Sequence, residues 1–200
     1  MMVLAITRRY QGHTQVATAQ PVFKFTYEDY RTAPPDKRYE LLDGELLLTP
    51  APDLKHQDIQ AGLGSRLRRF IEERKLGKLY FAPCDVVLSD TDVVQPDLLF
   101  VSRERGRLLS GGDNVRGAPD LVVEILSPGT ADRDRGYKRA LYAKHGVKEY
   151  WLVDPVAETV SILRPRAGAL VVAHTFGRNE TLRSPLLAGF ELDLDDVFSS

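Results

Sequence analysis

The run Asp120-Leu-Val-Val-Glu-Ile-Leu-Ser127 constrains this chain more than any other stretch. It is nearly continuously apolar, with one glutamate in its middle. A strand with one wet face alternates apolar and polar residues, whereas a continuous apolar run suits a strand covered on both faces. The chain therefore needs elements packed above and below a sheet. With 200 residues, 43% of them hydrophobic, it has the material for one domain with a real core, and global disorder is excluded.

The surrounding patterns supply the other layers. Residues 1–22 are polar without a clear period and read as a loosely ordered arm; 23–200 read as a single domain. Thr26 with Asp29 three residues on marks a short helix to about Arg31, ended by Pro34-Pro35. Asp43-Gly44 between two apolar runs predicts a β-hairpin over 39–48, because a type I′ turn needs positive φ at both central residues. Residues 54–75 form an amphipathic helix: Ile59, Leu63, Leu67, Phe70 and Ile71 share one face, Asp53 caps the start and Gly77 the end. Gly62 and Gly64 inside it each cost roughly 1 kcal/mol of helix propensity and are read as allowing close packing on a sheet. Strands are predicted at about 79–88, 93–101 and 120–127, with Pro96 at an edge, a bulge or the start of its strand. Residues 102–118 read as a long surface loop. A helix follows from Thr130 or Asp132 to Lys144, stopped by Gly146, then a strand over 149–154. Strands at 159–163 and 169–175 and an edge strand over 190–198 complete the pattern. The expectation is an α/β fold: a mixed β-sheet flanked by helices, with an N-terminal β-hairpin and extra C-terminal strands.

Lys+Arg 27 against Asp+Glu 28 gives a net charge of -1, so the chain is no general polyanion binder, although a local basic patch is compatible with it. The single cysteine, Cys84, excludes an internal disulfide, fits a reducing cytoplasm and reads as an inert buried thiol. No run approaches the ~18 apolar residues of a membrane span, and no secretory h-region is present. Phosphate-loop, HExxH, CxxC and GxSxG patterns are absent, so no nucleotide cofactor is expected.

Chemistry concentrates at a few acids. Glu124 in the middle of a buried strand is expensive unless it is paired, with an arginine of a covering helix for instance, or bound to a cation. Asp97 follows Pro96 at the start of Leu98-Leu-Phe-Val101 and converges with Glu124 if the two strands are neighbours; alone, it reads equally as a turn cap. Two hard carboxylates suit Mg²⁺ (or Mn²⁺) with waters and phosphate oxygens as the remaining ligands. On the helix after the glutamate strand, Tyr137, Leu141, Tyr142 and His145 mark the inner side; Lys138 lies between them, three and four residues before Leu141 and Tyr142, and can point along the helix toward the acids or into solvent. His56 sits at a helix start, beside the site or in a local hydrogen bond. Glu40 is read as a hairpin glutamate facing water, and Asp154 as a turn residue. Arg103, Arg105, Arg133, Arg135 and Arg139 are the candidate phosphate contacts, with interleaved acids arguing for a plain solvated face instead.

Pro96-Asp97 followed by Glu124-Ile125-Leu126 resembles the PD-(D/E)XK nuclease superfamily. More closely, Pro119-Asp-Leu-Val-Val-Glu-Ile-Leu-Ser-Pro-Gly-Thr130, then Asp134, Lys138, Tyr142 and Gly146-Val-Lys-Glu-Tyr-Trp-Leu-Val-Asp-Pro155, resembles the Uma-two family of restriction-endonuclease-like proteins, as do Tyr39-Glu-Leu-Leu-Asp-Gly-Glu45 and His56. The resemblance spans about residues 25–195. It implies the restriction-endonuclease-like fold and metal-dependent phosphodiester hydrolysis on DNA. Asp97 and Glu124 would then hold the metal, with the Ile125 carbonyl and His56 as further ligands. The superfamily places a lysine two residues after the acid; here that position is Leu126, and Lys138 is the matching helix-borne lysine. A catalytically inactive nucleic-acid- or partner-binding module on the same fold is the alternative. The fold also admits a homodimer that cuts two strands.

Overall fold

The computed structural model describes residues 7–10, 13–16 and 23–199. Of the predicted arm, β1 (Thr7–Tyr10) and β2 (His13–Val16) pair antiparallel, and the rest of 1–22 lies outside the described residues. Thr26 and Asp29 form a reciprocal capping box that starts the one-turn helix α1 (Tyr27–Tyr30). β3 (Tyr39–Leu42) and β4 (Glu45–Leu48) form the expected hairpin, with Asp43 at φ 49° and Gly44 at φ 77°. The Asp53 carboxylate accepts from the His56 amide and starts α2 (Leu54–Glu73), whose buried stripe includes Ile59, Leu63, Leu67, Phe70 and Ile71. Only one of the two helical glycines is a packing position. A Cβ on Gly64 would lie 2.3 Å from the Phe81 ring, whereas Gly62 meets nothing but its own helix's Arg66.

Two predicted strands divide. The 79–88 segment becomes β5 (Gly77–Phe81) and β6 (Val86–Ser89), separated by a turn through Pro83. The 93–101 segment becomes β7 (Asp92–Val94) and β8 (Leu98–Ser102). Pro96, with no amide hydrogen to donate, sits in the crossover between the two sheets these strands serve. The supposed loop over 102–118 carries a 3₁₀ helix (Arg103–Leu109) and the short β9 (Val115–Arg116). β10 (Leu121–Ile125) is buried at every residue, as its apolar run requires. The following helix is composite: α3 (Ala131–Arg133), a π turn (Asp134–Lys138) and α4 (Arg139–His145), closed by Gly146 at φ 84°. β11 (Glu149–Asp154), β12 (Thr159–Arg166) and β13 (Ala169–Gly177) follow, then β14 (Thr181–Arg183) and β15 (Glu191–Asp193). The predicted edge strand over 190–198 is only half a strand. Its end turns into α5 (Asp195–Phe198), because Val197 and Phe198 bury against the face that α2 covers.

The main sheet has the order β13-β12-β11-β10-β8-β5, with β10 and β11 parallel and every other neighbouring pair antiparallel. Parallel neighbours need a crossover, and the composite helix supplies it. Leu121, Val123 and Ile125 point to the α2 side, packing with Ile59, Leu63 and Trp151. Val122 points the other way, into a core shared with α4 and with a second sheet of order β4-β3-β7-β6-β9. Fully burying each such aliphatic side chain contributes about 1.5–3 kcal/mol. The fold is thus the expected mixed α/β sheet flanked by helices, but the predicted hairpin supplies two of the five strands of an additional sheet layer rather than forming an appendage. No helix among the described residues is long and apolar enough to cross a membrane.

Candidate active site

β8 and β10 run antiparallel with Val123 opposite Leu98, so the residues one step further, Glu124 and Asp97, come side by side at the same end of the sheet. Asp97 is locked there from three directions. Its Oδ2 accepts from the Ile125 amide at 2.7 Å and lies 3.2 Å from His56 Nε2, while its backbone carbonyl accepts from Gln60 Nε2 at 2.8 Å. Alternation turns Glu124 to the face opposite Val123. There its Oε1 accepts from Lys138 Nζ at 3.0 Å and from the Tyr142 hydroxyl at 2.7 Å.

Helical spacing puts a lysine there: Lys138 ends a π turn and lies four residues after Asp134 and three and four before the buried Leu141 and Tyr142. Asp134 and Lys138 are both buried, and the neighbouring Tyr137, expected on the inner side, is 40% exposed, with its hydroxyl donating to Asp92. Lys138 Nζ meets Glu40 Oε1 at 2.8 Å and Asp134 Oδ1 at 3.2 Å in addition to Glu124. The reading of Glu40 as solvent-facing is therefore corrected. Its strand, β3, lies between β4 and β7, and Glu40 is 2% exposed, accepting from the Gln95 amide at 2.9 Å.

One buried ammonium thus faces three carboxylates, with Arg133 a looser partner 3.8 Å from Glu40. Burial disfavours the Lys138 charge, but Glu124, Glu40 and Asp134 outweigh it and hold its pKa above the ordinary lysine value. Burial pushes Glu124 well above the usual carboxylate range, and Lys138 only partly offsets this. Asp134 is raised for the same reason. For His56, burial favours the neutral ring, yet the bond to Asp97 prevails and raises its pKa. That contact engages Nε2 in orienting Asp97, so binding a metal through Nε2 would require the ring to give it up.

These groups line a cleft of about 440 Å³ whose other walls are 49–53, 126–130 and Pro155-Val156. The residues present fit a divalent cation. The cluster gathers four carboxyl groups, Glu40, Asp97, Glu124 and Asp134, around Lys138 and Arg133, and no hydrogen bond among the described residues reaches Asp97 Oδ1 or Glu124 Oε2. Three side chains of His, Cys, Asp or Glu do not converge as a ready coordination set among the described residues. Two carboxylates plus the Ile125 carbonyl match what Mg²⁺ takes from a protein while it keeps its waters.

The five candidate arginines separate. Arg133 reaches the site through Glu40, whereas Arg135 does not line the cleft and pairs with Asp154 at 2.7 Å, next to the wall residue Pro155. Asp154 itself caps the turn through the amides of Val156 and Ala157, as its position before Pro155 suggested. Arg139 Nε donates to the Leu170 carbonyl and ties the helix to β13. Arg103 and Arg105 do not reach the site, because they follow the far end of β8. Arg105 is committed to the buried Asp120, which Lys148 and the Ser102 amide also bind. Leu126, where a superfamily lysine would stand, is an ordinary core residue. Cys84 is half-buried in the turn after β5, and burial raises its thiol pKa. Tyr142, marked in the sequence by its helical spacing from Lys138, joins the site through Glu124, whereas Gln95 joins it without any local sequence signal beyond its polarity.

A family profile described as "Putative restriction endonuclease", named Uma2, matches residues 26–195. No curated protein matches the chain. Among solved structures, the chain is similar to one described as a putative nuclease belonging to DUF820 from Anabaena variabilis ATCC 29413. The TM-score is 0.72 at 22% identity, over 88% of this chain and 98% of that one.

Proposed function

This chain belongs to the Uma2 family of restriction-endonuclease-like proteins, and from that premise we propose that it is a Mg²⁺- or Mn²⁺-dependent endonuclease hydrolysing phosphodiester bonds in DNA. The observation that carries the reading is the paired arrangement of Asp97 and Glu124 beside the buried Lys138 ammonium, 3.0 Å from Glu124 Oε1, at the floor of an open cleft. Residues 23–200 act as one domain bearing that site.

Asp97, Glu124 and the Ile125 carbonyl would hold the cation, which when bound supplies charge neutralisation at the phosphate and a lowered pKa for water. Lys138 carries a buried, fixed positive charge at the floor of the cleft, where it stabilises charge developing on the phosphate without reorganisation. Glu40, Asp134 and Tyr142 keep that ammonium and the Glu124 carboxylate in register. His56 and the Ile125 amide hold one oxygen of Asp97 so that the other faces the cleft. Arg133 and Arg135 extend the positive charge along the rim.

The test is cleavage of supercoiled plasmid and of single-stranded DNA with Mg²⁺ or Mn²⁺, by wild type, Glu124→Ala and Lys138→Ala. Metal-dependent cutting lost in both variants, with circular dichroism retained, is expected. No cutting by the wild type in any metal would overturn the catalytic reading and favour a binding module on the nuclease fold.

A further inference from the structure

A second groove, of about 540 Å³, adjoins the cleft: Arg38 and Gln95 line both. Arg38 Nε donates to Gln95 Oε1 at 3.1 Å and so forms the sill between them. Beyond the sill the walls carry Arg31, Lys37 and Arg116 against two acids, Asp85 and Asp113. Asp85 is already engaged, accepting from the Tyr30 hydroxyl at 2.7 Å and from Gln95 Nε2 at 2.8 Å. The groove therefore presents net positive charge, in a chain whose total is -1.

Two of these cations are prepositioned. The Arg31 and Arg116 guanidiniums lie 5.9 and 5.1 Å from the Tyr27 ring centroid. Arg31 follows α1 and Arg116 ends β9, so distant segments bring like charges to one aromatic ring. Cation–π contact holds each in place and leaves guanidinium N–H groups to donate. Arg31 has one exposed partner, Glu28, at 3.3 Å. The only protein acceptor of a hydrogen bond from Arg116 among the described residues is the Tyr27 hydroxyl, at 3.4 Å. Gathering like charges costs energy that an anion relieves, and planar guanidiniums suit phosphate.

We propose that this groove carries the sugar-phosphate backbone of the substrate strand on one side of the scissile bond, with Arg31 and Arg116 each contacting a phosphate and Arg38 handing the strand to the cleft. The inference rests on the nuclease reading for its substrate class. It differs from the expectation drawn from sequence, which put the phosphate contacts on Arg103, Arg105 and the helix after β10.

The test is fluorescence-anisotropy binding of labelled 30-nucleotide DNA and RNA strands across a salt series without divalent metal. The wild type is compared with Arg31→Gln/Arg116→Gln, with Arg31→Lys/Arg116→Lys, and with Arg69→Gln/Arg74→Gln. Arg69 lies on α2 and Arg74 caps its end, on the opposite face of the main sheet. Removing two contacts should weaken binding and lower the slope of log K against log salt by about 1.4, at about 0.7 per phosphate on a single strand. The lysine variant should keep the slope, and the α2 variant should match the wild type. An unchanged slope in the glutamine variant, or an equal loss in the α2 variant, overturns the groove, as does a wild type that binds neither strand. Wild-type plasmid cleavage, run in parallel, separates the two readings. Cutting with an unchanged slope sinks the groove and leaves the nuclease, and binding through the groove without cutting does the reverse.

Discussion

Replacing Lys138 by methionine keeps an unbranched apolar stem of four heavy atoms and removes the ammonium group. It would leave the Glu40, Glu124 and Asp134 oxygens, now 2.8, 3.0 and 3.2 Å from the ammonium, without their shared cation. Removing one partner of a buried ion pair costs about 3–5 kcal/mol, because the other charge stays buried and uncompensated. For a domain of this size each kcal/mol moves the melting temperature by about 2–4 °C, so a fall of roughly 6–20 °C is expected by differential scanning calorimetry at pH 7. Lys138 has a raised pKa in the folded state, so its stabilisation is complete below the unfolded lysine value of about 10.4 and is lost only as pH rises through the folded one. The deficit should therefore persist across the neutral range. Adding Glu40→Gln to the variant removes one unpaired charge and should recover part of the loss, with a coupling of about 0.5–3 kcal/mol. A melting shift under about 2 °C for Lys138→Met would refute the argument, because it would mean the three carboxylates do not depend on this cation.

Asp97→Asn keeps an oxygen to accept from the Ile125 amide, so plasmid cleavage should be abolished while the far-ultraviolet circular dichroism is retained; unchanged cleavage would remove Asp97 from the mechanism. Gly64→Ala should destabilise by about 1–3 kcal/mol through overpacking on Phe81, and Gly62→Ala should stabilise by up to about 1 kcal/mol, so urea midpoints that move the same way would contradict the packing. Although burial raises the Asp120 pKa, Lys148, Ser102 and Arg105 outweigh it and hold the folded value low. Its contribution is present above the unfolded carboxylate pKa of about 3.9 and is lost as pH falls through the folded value. Asp120→Asn should therefore flatten the acid limb of the stability–pH curve, and an unaltered limb would show that the cluster contributes nothing.

The sequence alone determined whatever depends on short-range periodicity and backbone sterics. The all-apolar β10 had to be covered on both faces, Asp43-Gly44 had to turn with two positive φ values, and Asp53 and Thr26 had to start helices. Glu124 could be singled out for the same reason, since a carboxylate inside such a run needs a partner. The tertiary structure decided which partner it found. Glu40 is buried because β7, far along the chain, pairs with β3, a contact that no local pattern in 39–48 encodes. Helical spacing put Lys138 on the face of Leu141 and Tyr142, three and four residues on, but which acids it meets there was decided by β3 and β10 packing against that face. Asp97 and Glu124 meet through an antiparallel pairing whose register depends on strands more than twenty residues apart. Local rules act through neighbouring dihedrals and hydrogen bonds; the electrostatics of this site arise from desolvation and charge proximity, which exist only once distant segments have packed together.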